Sequence, residues 1–488
     1  MVSVSQLGSR FRVEFLSTLI ATVSGALLVV ILARLLDPTG YGLLYLTLAV
    51  IGVARLFAKL GIGRSTARYI AEYREKDPSQ LRHILSFSAG ITLTLLLVVT
   101  LVVGLGHQQI SGLIGEPDLA IFLIVGSLFL FFETSLEFIR KVLQGFEEIK
   151  SAASLPIIKS LIKLAVAIGL VAAGFGAIGA LAGWVLGALF ASLVGGYIIY
   201  FRHYQPLEQG FPVESGLRRR IAQYAVPLTA SEAAGNLSGR IDMVLIGFFL
   251  NPVAVSYYTI SKQVVTMIQS PVNALGFTLA PTFGKEKTAG HSEGAARLYE
   301  ESFVHIMLLY IPAAVGIVLI ADPLVVHIFG SNYSNAVPVL QILALYAIIQ
   351  ANLNISPSAL DFIGRARERA IVKGVTSIMN FILNIVLIPS IGVVGAAIAT
   401  LITSSIYASS NMYLLHQEFN FRINYLAWKV GRIILVSFLM GMVVQQLVHY
   451  ILGVTTLFAI VVVGLVVWVI ASTVLGLIDI RNILDALS

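Results

Sequence analysis

The sequence predicts an all-α integral membrane protein of about fourteen transmembrane helices, arranged as two pseudo-symmetric six-helix lobes plus a C-terminal helix hairpin. Three observations predict it. Of 488 residues, 57% are hydrophobic and 12% charged, about half the charged share of a soluble domain; the mean hydropathy is +0.90. Apolar runs long enough to cross a bilayer recur from end to end. Short patterns of residues repeat once along the chain. A soluble fold cannot hide that much apolar surface, because surface-to-volume scaling leaves much of it wet. The composition therefore excludes a soluble enzyme, a nucleic-acid binder and a secreted disulfide scaffold. Cysteine is absent, which removes thiol catalysis and thiolate-held metals. Neither a cofactor nor a metal site is expected.

In order, the runs are Phe15–Leu36, Tyr41–Leu60, Ile84–Gly106, Asp118–Ile139, Ala153–Ala173, Ala177–Tyr200 and Tyr224–Leu250. Val253–Ala280, Phe303–Ala321, Ala336–Ser358, Ala370–Pro389, Gly392–Leu414, Lys429–His449 and Val454–Leu477 follow. Spans seven, eight and ten are polar for lipid-facing helices, which suits packing inside a bundle or lining a cavity. Basic residues collect on alternate connections: Arg64, Arg68, Arg74, Lys76 and Arg82, then Arg140, Lys141 and Lys150, then Arg202 and Arg218 to Arg220. Lys285, Lys287 and Arg297 continue the pattern, as do Arg365, Arg367, Arg369, Lys373 and Arg422. The opposite loops carry almost none, Arg34 excepted. The excess of basic loops on one side places both termini in the cytoplasm of a multi-pass cell-membrane protein, which requires an even number of spans. No secretory signal peptide is read at the N-terminus.

Repeated patterns lie about 215 residues apart. Leu36-Asp37-Pro38 matches Leu250-Asn251-Pro252, Gly176 to Ala180 matches Gly392 to Ala396, and Gly145 with Lys150 matches Gly364 with Arg369. Six spans separate equivalents, so the halves share one orientation, with a central cavity expected between them. The expected division is a first lobe over 1–201, a cytoplasmic linker over 202–222, a second lobe over 223–416 and the hairpin over 417–488. No Gly-x-x-x-x-Gly-Lys-Ser/Thr, Gly-x-Ser-x-Gly or Cys/His cluster is present. The outer loops are too short for an active-site domain, and the chain reads as a carrier rather than an enzyme.

The run Leu32-Ala33-Arg34-Leu35-Leu36-Asp37-Pro38, followed by Gly40-Tyr41-Gly42, resembles the first-hairpin motif of polysaccharide and oligosaccharide-lipid flippases. These form part of the multidrug/oligosaccharidyl-lipid/polysaccharide exporter superfamily. Leu60-Gly61-Ile62-Gly63, Leu143-Gln144-Gly145, Tyr224 to Leu228, Arg240-Ile241-Asp242, Asn380 with Asn384, and Ile388-Pro389 extend the likeness over roughly residues 10 to 415. The resemblance implies two six-helix lobes and alternating access. It also implies a cargo, a lipid-linked oligosaccharide, with membrane lipids and a glycan-assembly machinery as partners.

Charges inside spans cost at least about 2.5–3.5 kcal/mol at the bilayer centre, so they must pair, meet water or serve function. Arg55 and Lys59, Glu133 and Glu137, and Lys159 and Lys163 are each four apart, so each pair shares one helix face. They suit an ion-pair clamp between spans two, four and five, or a cationic vestibule in which surplus charge faces a cavity. Arg240 and Asp242 on span seven are two apart, about 200° around a helix, and do not face each other. Arg240 and Lys262 sit near the midplane, with Glu232, Asn236 and Asn273 adding polarity. Candidate phosphate or sugar ligands are Arg240, Lys262, Arg55, Lys59, Lys163, Arg34, Asn236 and Asn273; candidate ion-coupling groups are Asp242 and Glu232. Gln263, Gln269, Tyr257 and Tyr258 suit sugar hydroxyls, while Pro227, Pro271 and Pro312 mark kinks or hinges. Asn332-Tyr333-Ser334 fits a glycosylation acceptor on an outer loop. The alternative function is cation-coupled export of drugs or metabolites, which acidic groups within the bundle would mark.

Overall fold

The computed structural model describes the backbone of residues 4–208, 210–269, 292–353 and 355–477, and the side chains of these except 4–16, 227, 230–238, 292, 358 and 362. Described residues form helices and connections with no strand among them. Among the described residues, eleven stretches are long and apolar enough to cross a membrane. One of them, residues 149–204, holds two helices in series. The eleven therefore cover every expected span except seven and eight. Span seven falls on the more polar helix α9, and span eight runs past residue 269, outside the described residues.

The chain divides into two compact units, Met1–Ser256 and Tyr257–Ser488. In the first, α1 (Val4–Leu35), α2 (Pro38–Lys59), α3 (Ile62–Lys76), α4 (Leu81–Leu105) and α5 (His107–Ile114) lead to α6 (Leu119–Gly145). Next come α7 (Ile149–Leu170), α8 (Gly176–Ile199) and α9 (Leu217–Phe249); α10, described over residues 252–269, starts at the end of this unit and lies mostly in the second. Helix α6 packs on α2, α3, α4 and α8, α7 on α1 and α8, and α9 on α2 and α3. Two connections that the sequence left as loops are helical. Residues 62–76 form the amphipathic α3, which buries Ile62, Tyr69, Ile70 and Tyr73 and leaves its basic side out. His107–Ile114 makes a short helix closed by Gly115 at φ +84°.

The second unit holds α11 (Ser292–Leu324), α12 (Val337–Asn352), α13 (Ser356–Phe362), α14 (Ala366–Ile391), α15 (Val393–Phe419), α16 (Ile423–Leu447) and α17 (Val454–Val474). Expected span ten is corrected here. It breaks after Asn352 into α12 and the short α13, because Pro357 lies in the first turn of a new helix and has no N–H to continue the old one. The final hairpin, α16 and α17, packs on α11 through Ile320, Met440, Val444, Leu457 and Ile460. Elsewhere large apolar side chains face outward in rows, such as Leu97, Val98, Leu101, Val102 and Leu105 on α4. Water would penalise such rows, whereas lipid does not.

Local chemistry explains the repeat. Asp37 caps α2, its carboxylate accepting from the N–H groups of Thr39 at 3.1 Å and Gly40 at 3.3 Å, with Pro38 at the first helical position. Asn251 accepts from Ala254 N–H at 2.9 Å, again with proline next. Gly176 and Gly392 adopt nearly the same backbone conformation, φ/ψ +54/−147° and +68/−151°, a region essentially reserved to glycine. The Gly145–Gly364 match is looser: Gly145 is the last residue of α6, while Gly364 is a turn residue at φ +87°.

Candidate functional site

Four helices of the first unit bring charge together. Arg55 and Lys59 come from α2, Glu133 and Glu137 from α6, Lys159 and Lys163 from α7, and Arg240 from α9. The four-residue spacing puts Arg55 and Lys59 on one face of α2, where both meet Glu137. Arg55 Nη2 donates to Glu137 Oε2 at 2.9 Å, and its Nε donates to Thr134 Oγ1 at 3.2 Å. The same Nη2 is 3.9 Å from Glu133 Oε1. Lys59 Nζ reaches Glu137 Oε2 at 2.5 Å, and Lys159 Nζ reaches Glu133 Oε1 at 2.5 Å. Helices α2, α6 and α7 are thus joined by one connected network. Charge-assisted bonds of this kind offset the desolvation of charges in a dry interior only when the geometry is good.

The network is not balanced. Lys163, one turn from Lys159, contacts no carboxylate in a salt bridge among the described residues; its ammonium lies 5.1 Å from the centroid of the Trp184 ring. Arg240 crosses from α9 to α2, where its Nη1 donates to the Leu48 carbonyl at 3.2 Å. It lies across Gly52: a Cβ there would stand 2.0 Å from Arg240 Nη1 and 2.5 Å from its Cδ. Arg240 is within electrostatic range of Arg55, Glu133 and Glu137. Five bases therefore surround two carboxylates, and Glu133 Oε2 is buried with no hydrogen-bond partner among the described residues. Below this cluster a narrow recess is lined by Lys59, Arg64, Thr134, Glu137 and Lys141.

Other expected residues stand apart. Arg34 is exposed in the last turn of α1. Asp242, 2% exposed, is buried in α9. Lys262 belongs to the second unit, with its ammonium 5.4 Å from the ring centroid of Tyr258 one turn away. Tyr258 is itself wholly buried and within 3.4 Å of Thr400 Oγ1, so it serves the core. Asn273 and Pro271 lie outside the described residues, as do the side chains of Glu232, Asn236 and Pro227. Three contributors escaped the sequence reading: Thr134, Gly52 and Trp184. Gly52 carried a signal, since it lies three residues before Arg55 on the same face of α2.

A separate apolar groove of about 320 Å³ runs along the second unit, between α11 and the final hairpin. Ile317, Ile320, Met440, Val444, Ile460 and Trp468 are among its lining residues.

A polytopic all-α membrane protein with a base-rich cluster among the helices of its first unit fits the class of membrane carriers. The comparisons agree on the class. The family model described as polysaccharide biosynthesis protein matches residues 11–286, and the MatE model matches residues 227–386. The chain belongs to the polysaccharide biosynthesis protein family, within the superfamily that also contains the multidrug exporters. It is 25% identical over 420 residues, 84% of each chain, to a Haloferax volcanii protein described as "probable low-salt glycan biosynthesis flippase Agl15". Its fold matches the inward closed conformation of the lipid II flippase MurJ at TM-score 0.76 and 15% identity, over 96% of this chain and 99% of that one. It also matches an inward-facing multidrug resistance MATE family transporter at TM-score 0.68 and 16% identity, over 82% of this chain and 94% of the other.

Proposed function

We propose that this chain is a flippase that carries a lipid-linked oligosaccharide, on a polyprenyl phosphate or pyrophosphate, across the cell membrane by alternating access. The reading has fourteen spans, both termini in the cytoplasm, no catalytic step, and a glycan-assembly machinery that supplies and consumes the cargo. The supporting observation is the surplus of bases over carboxylates at the α2–α6–α7–α9 cluster. A phosphate brought into a low-dielectric interior needs fixed positive charge nearby. Arg240 supplies a planar fork suited to phosphate oxygens, and Lys163 a point charge that no carboxylate has claimed. Glu133 Oε2, an unused acceptor, suits a sugar hydroxyl. Carboxylates that already hold some of the bases keep binding moderate, which a carrier needs in order to release its load. The apolar groove on the second unit suits an isoprenoid chain.

The test is transport of a fluorescent lipid-linked oligosaccharide in proteoliposomes, with a cationic drug as the control load. Flipping of the lipid and not of the drug is expected. Arg240→Ala abolishes it at unchanged protein level, Arg240→Lys retains only part of it, and Lys262→Ala weakens it less. A doubly substituted Arg240→Ala/Lys262→Ala protein moving lipid at the normal rate would reject the assignment. The buried Asp242 favours a second reading, cation-coupled export; drug transport that needs an ion gradient and is lost in Asp242→Asn would establish that reading instead.

A further inference from the structure

We propose that the basic end of α4 is a binding site for an anionic phospholipid of the surrounding leaflet, separate from the charge cluster. The inference stands on the fold and does not depend on the flippase reading. One stripe of α4, at successive helical turns, carries His83, Phe87, Ile91 and Leu95, with Gly90 and Thr94 beside them; it lines an open groove of about 520 Å³. Arg218, from the first turn of α9, closes one end of this groove, its guanidinium carbon 5.8 Å from the Phe87 ring centroid. The rest of the lining is chiefly apolar. A Cβ built on Gly90 meets nothing within 4 Å, so the space along the helix is open.

Ser86 joins this groove to a second one on the other side of α4. The second groove, about 360 Å³, runs between α4, α6 and α8 and ends at Tyr204. There Ser86 Oγ lies 3.2 Å from Tyr204 Oη, and the Arg82 guanidinium stacks 4.6 Å from the Tyr204 ring centroid. His83 donates through Nε2 to the Phe211 carbonyl at 2.8 Å, and Arg82 donates to Leu207, fixing the linker at the rim. Two apolar grooves thus flank one helix beneath a single polar rim. That shape suits a molecule with two chains and one headgroup.

Charge decides which headgroup. Arg82, Arg218 and Arg219 form no salt bridge with a carboxylate among the described residues, and the linker's Glu214 is already held by Arg220 and Tyr73. Basic rims at the end of membrane helices select anionic lipid phosphates over zwitterionic ones. A free phosphate would be held by the same bases but would leave both grooves without apolar atoms to fill them.

Native mass spectrometry of the full chain in detergent tests this, titrating dioleoyl phosphatidylglycerol, dioleoyl phosphatidylcholine and glycerol 3-phosphate in parallel. Phosphatidylglycerol should be retained in preference to phosphatidylcholine, and Arg218→Ala should cut that preference about fivefold, equivalent to about 1 kcal/mol per basic residue near the headgroups. Gly90→Leu places its Cβ in open space of the groove and adds a better helix former; with folded yield checked alongside, it should lower retention of both lipids. Phosphatidylglycerol retention unchanged in both variants would overturn the site. Binding of glycerol 3-phosphate as tight as that of the lipid would overturn it in favour of a simple anion site.

Discussion

At the scale of single residues, the cluster works through shared partners. Glu137 serves both Arg55 and Lys59, and Glu133 holds Lys159 with Arg55 at a longer range. Removing Lys159 leaves Glu133, only 14% exposed at its side chain, without its shortest bond. Lys159→Ala should cost about 3 kcal/mol, the lower end for breaking a buried pair. Adding Glu133→Gln should recover most of it, read as thermal midpoint and folded yield in detergent. Single variants with normal yield but lost transport would show that the lysine serves cargo rather than clamp. Gly52 supplies another test. Its missing side chain leaves the space that Arg240 occupies, so Gly52→Ala should displace the guanidinium. Because the displaced atoms are the far end of a flexible side chain, folding should persist while lipid transport falls toward the Arg240→Ala level.

At the scale of elements, the linker between α8 and α9 is strapped to the ends of α3 and α4. Gln80 donates to the Pro212 carbonyl at 3.1 Å and accepts from Glu214 N–H at 2.9 Å. Glu214 accepts from Tyr73 Oη at 2.5 Å and Arg220 Nη2 at 2.6 Å. The Tyr73 hydroxyl bond, then that of Arg220, holds the Glu214 carboxyl below its ordinary range. A carboxylate with a lowered folded-state pKa stabilises above its unfolded value and loses that contribution as pH falls through the folded one. Limited proteolysis of the linker should therefore accelerate as pH drops below the ordinary carboxylate range. Glu214→Gln should show faster cleavage already at neutral pH and a weaker acid step. An unchanged profile in that variant would assign the strap's strength to Gln80 and the two bonds from His83 and Arg82.

For the whole molecule, several arginines of the basic loops that carry the proposed orientation are also fastened. Arg422 forms a bidentate pair with Glu300, Arg365 joins Glu418 and Glu368, and Arg369 joins Asp361 at 2.7 Å. The same side chains that disfavour translocation of a loop also tie helix ends in the second unit. The absence of cysteine makes orientation directly testable. A cysteine replacing Asn332 should react with an impermeant thiol reagent from outside; cysteines replacing Ser292 and Ser488 should not. The reverse pattern would overturn the orientation, and outside labelling at position 488 alone would overturn the even parity.

Much of this was legible along the chain because the bilayer is a severe filter. Apolar length marks a span, basic loops mark a side, and four-residue spacing puts Glu133 with Glu137 and Lys159 with Lys163 on common faces. Glycine and proline punctuation exposed the repeat, since Gly176 and Gly392 occupy backbone geometry that other residues avoid. Pairing was not legible, because nothing in a helical period says which face meets which neighbour. Only the tertiary packing chose Glu137 over Glu133 as the main partner of Arg55, sent Arg240 across Gly52 to the Leu48 carbonyl, and set Lys163 over Trp184. The sequence by itself determined a base-rich all-α membrane carrier, because hydropathy and charge act locally. The arrangement that leaves some of those bases unclaimed arises from contacts between helices far apart in the chain, and only the folded structure decides those.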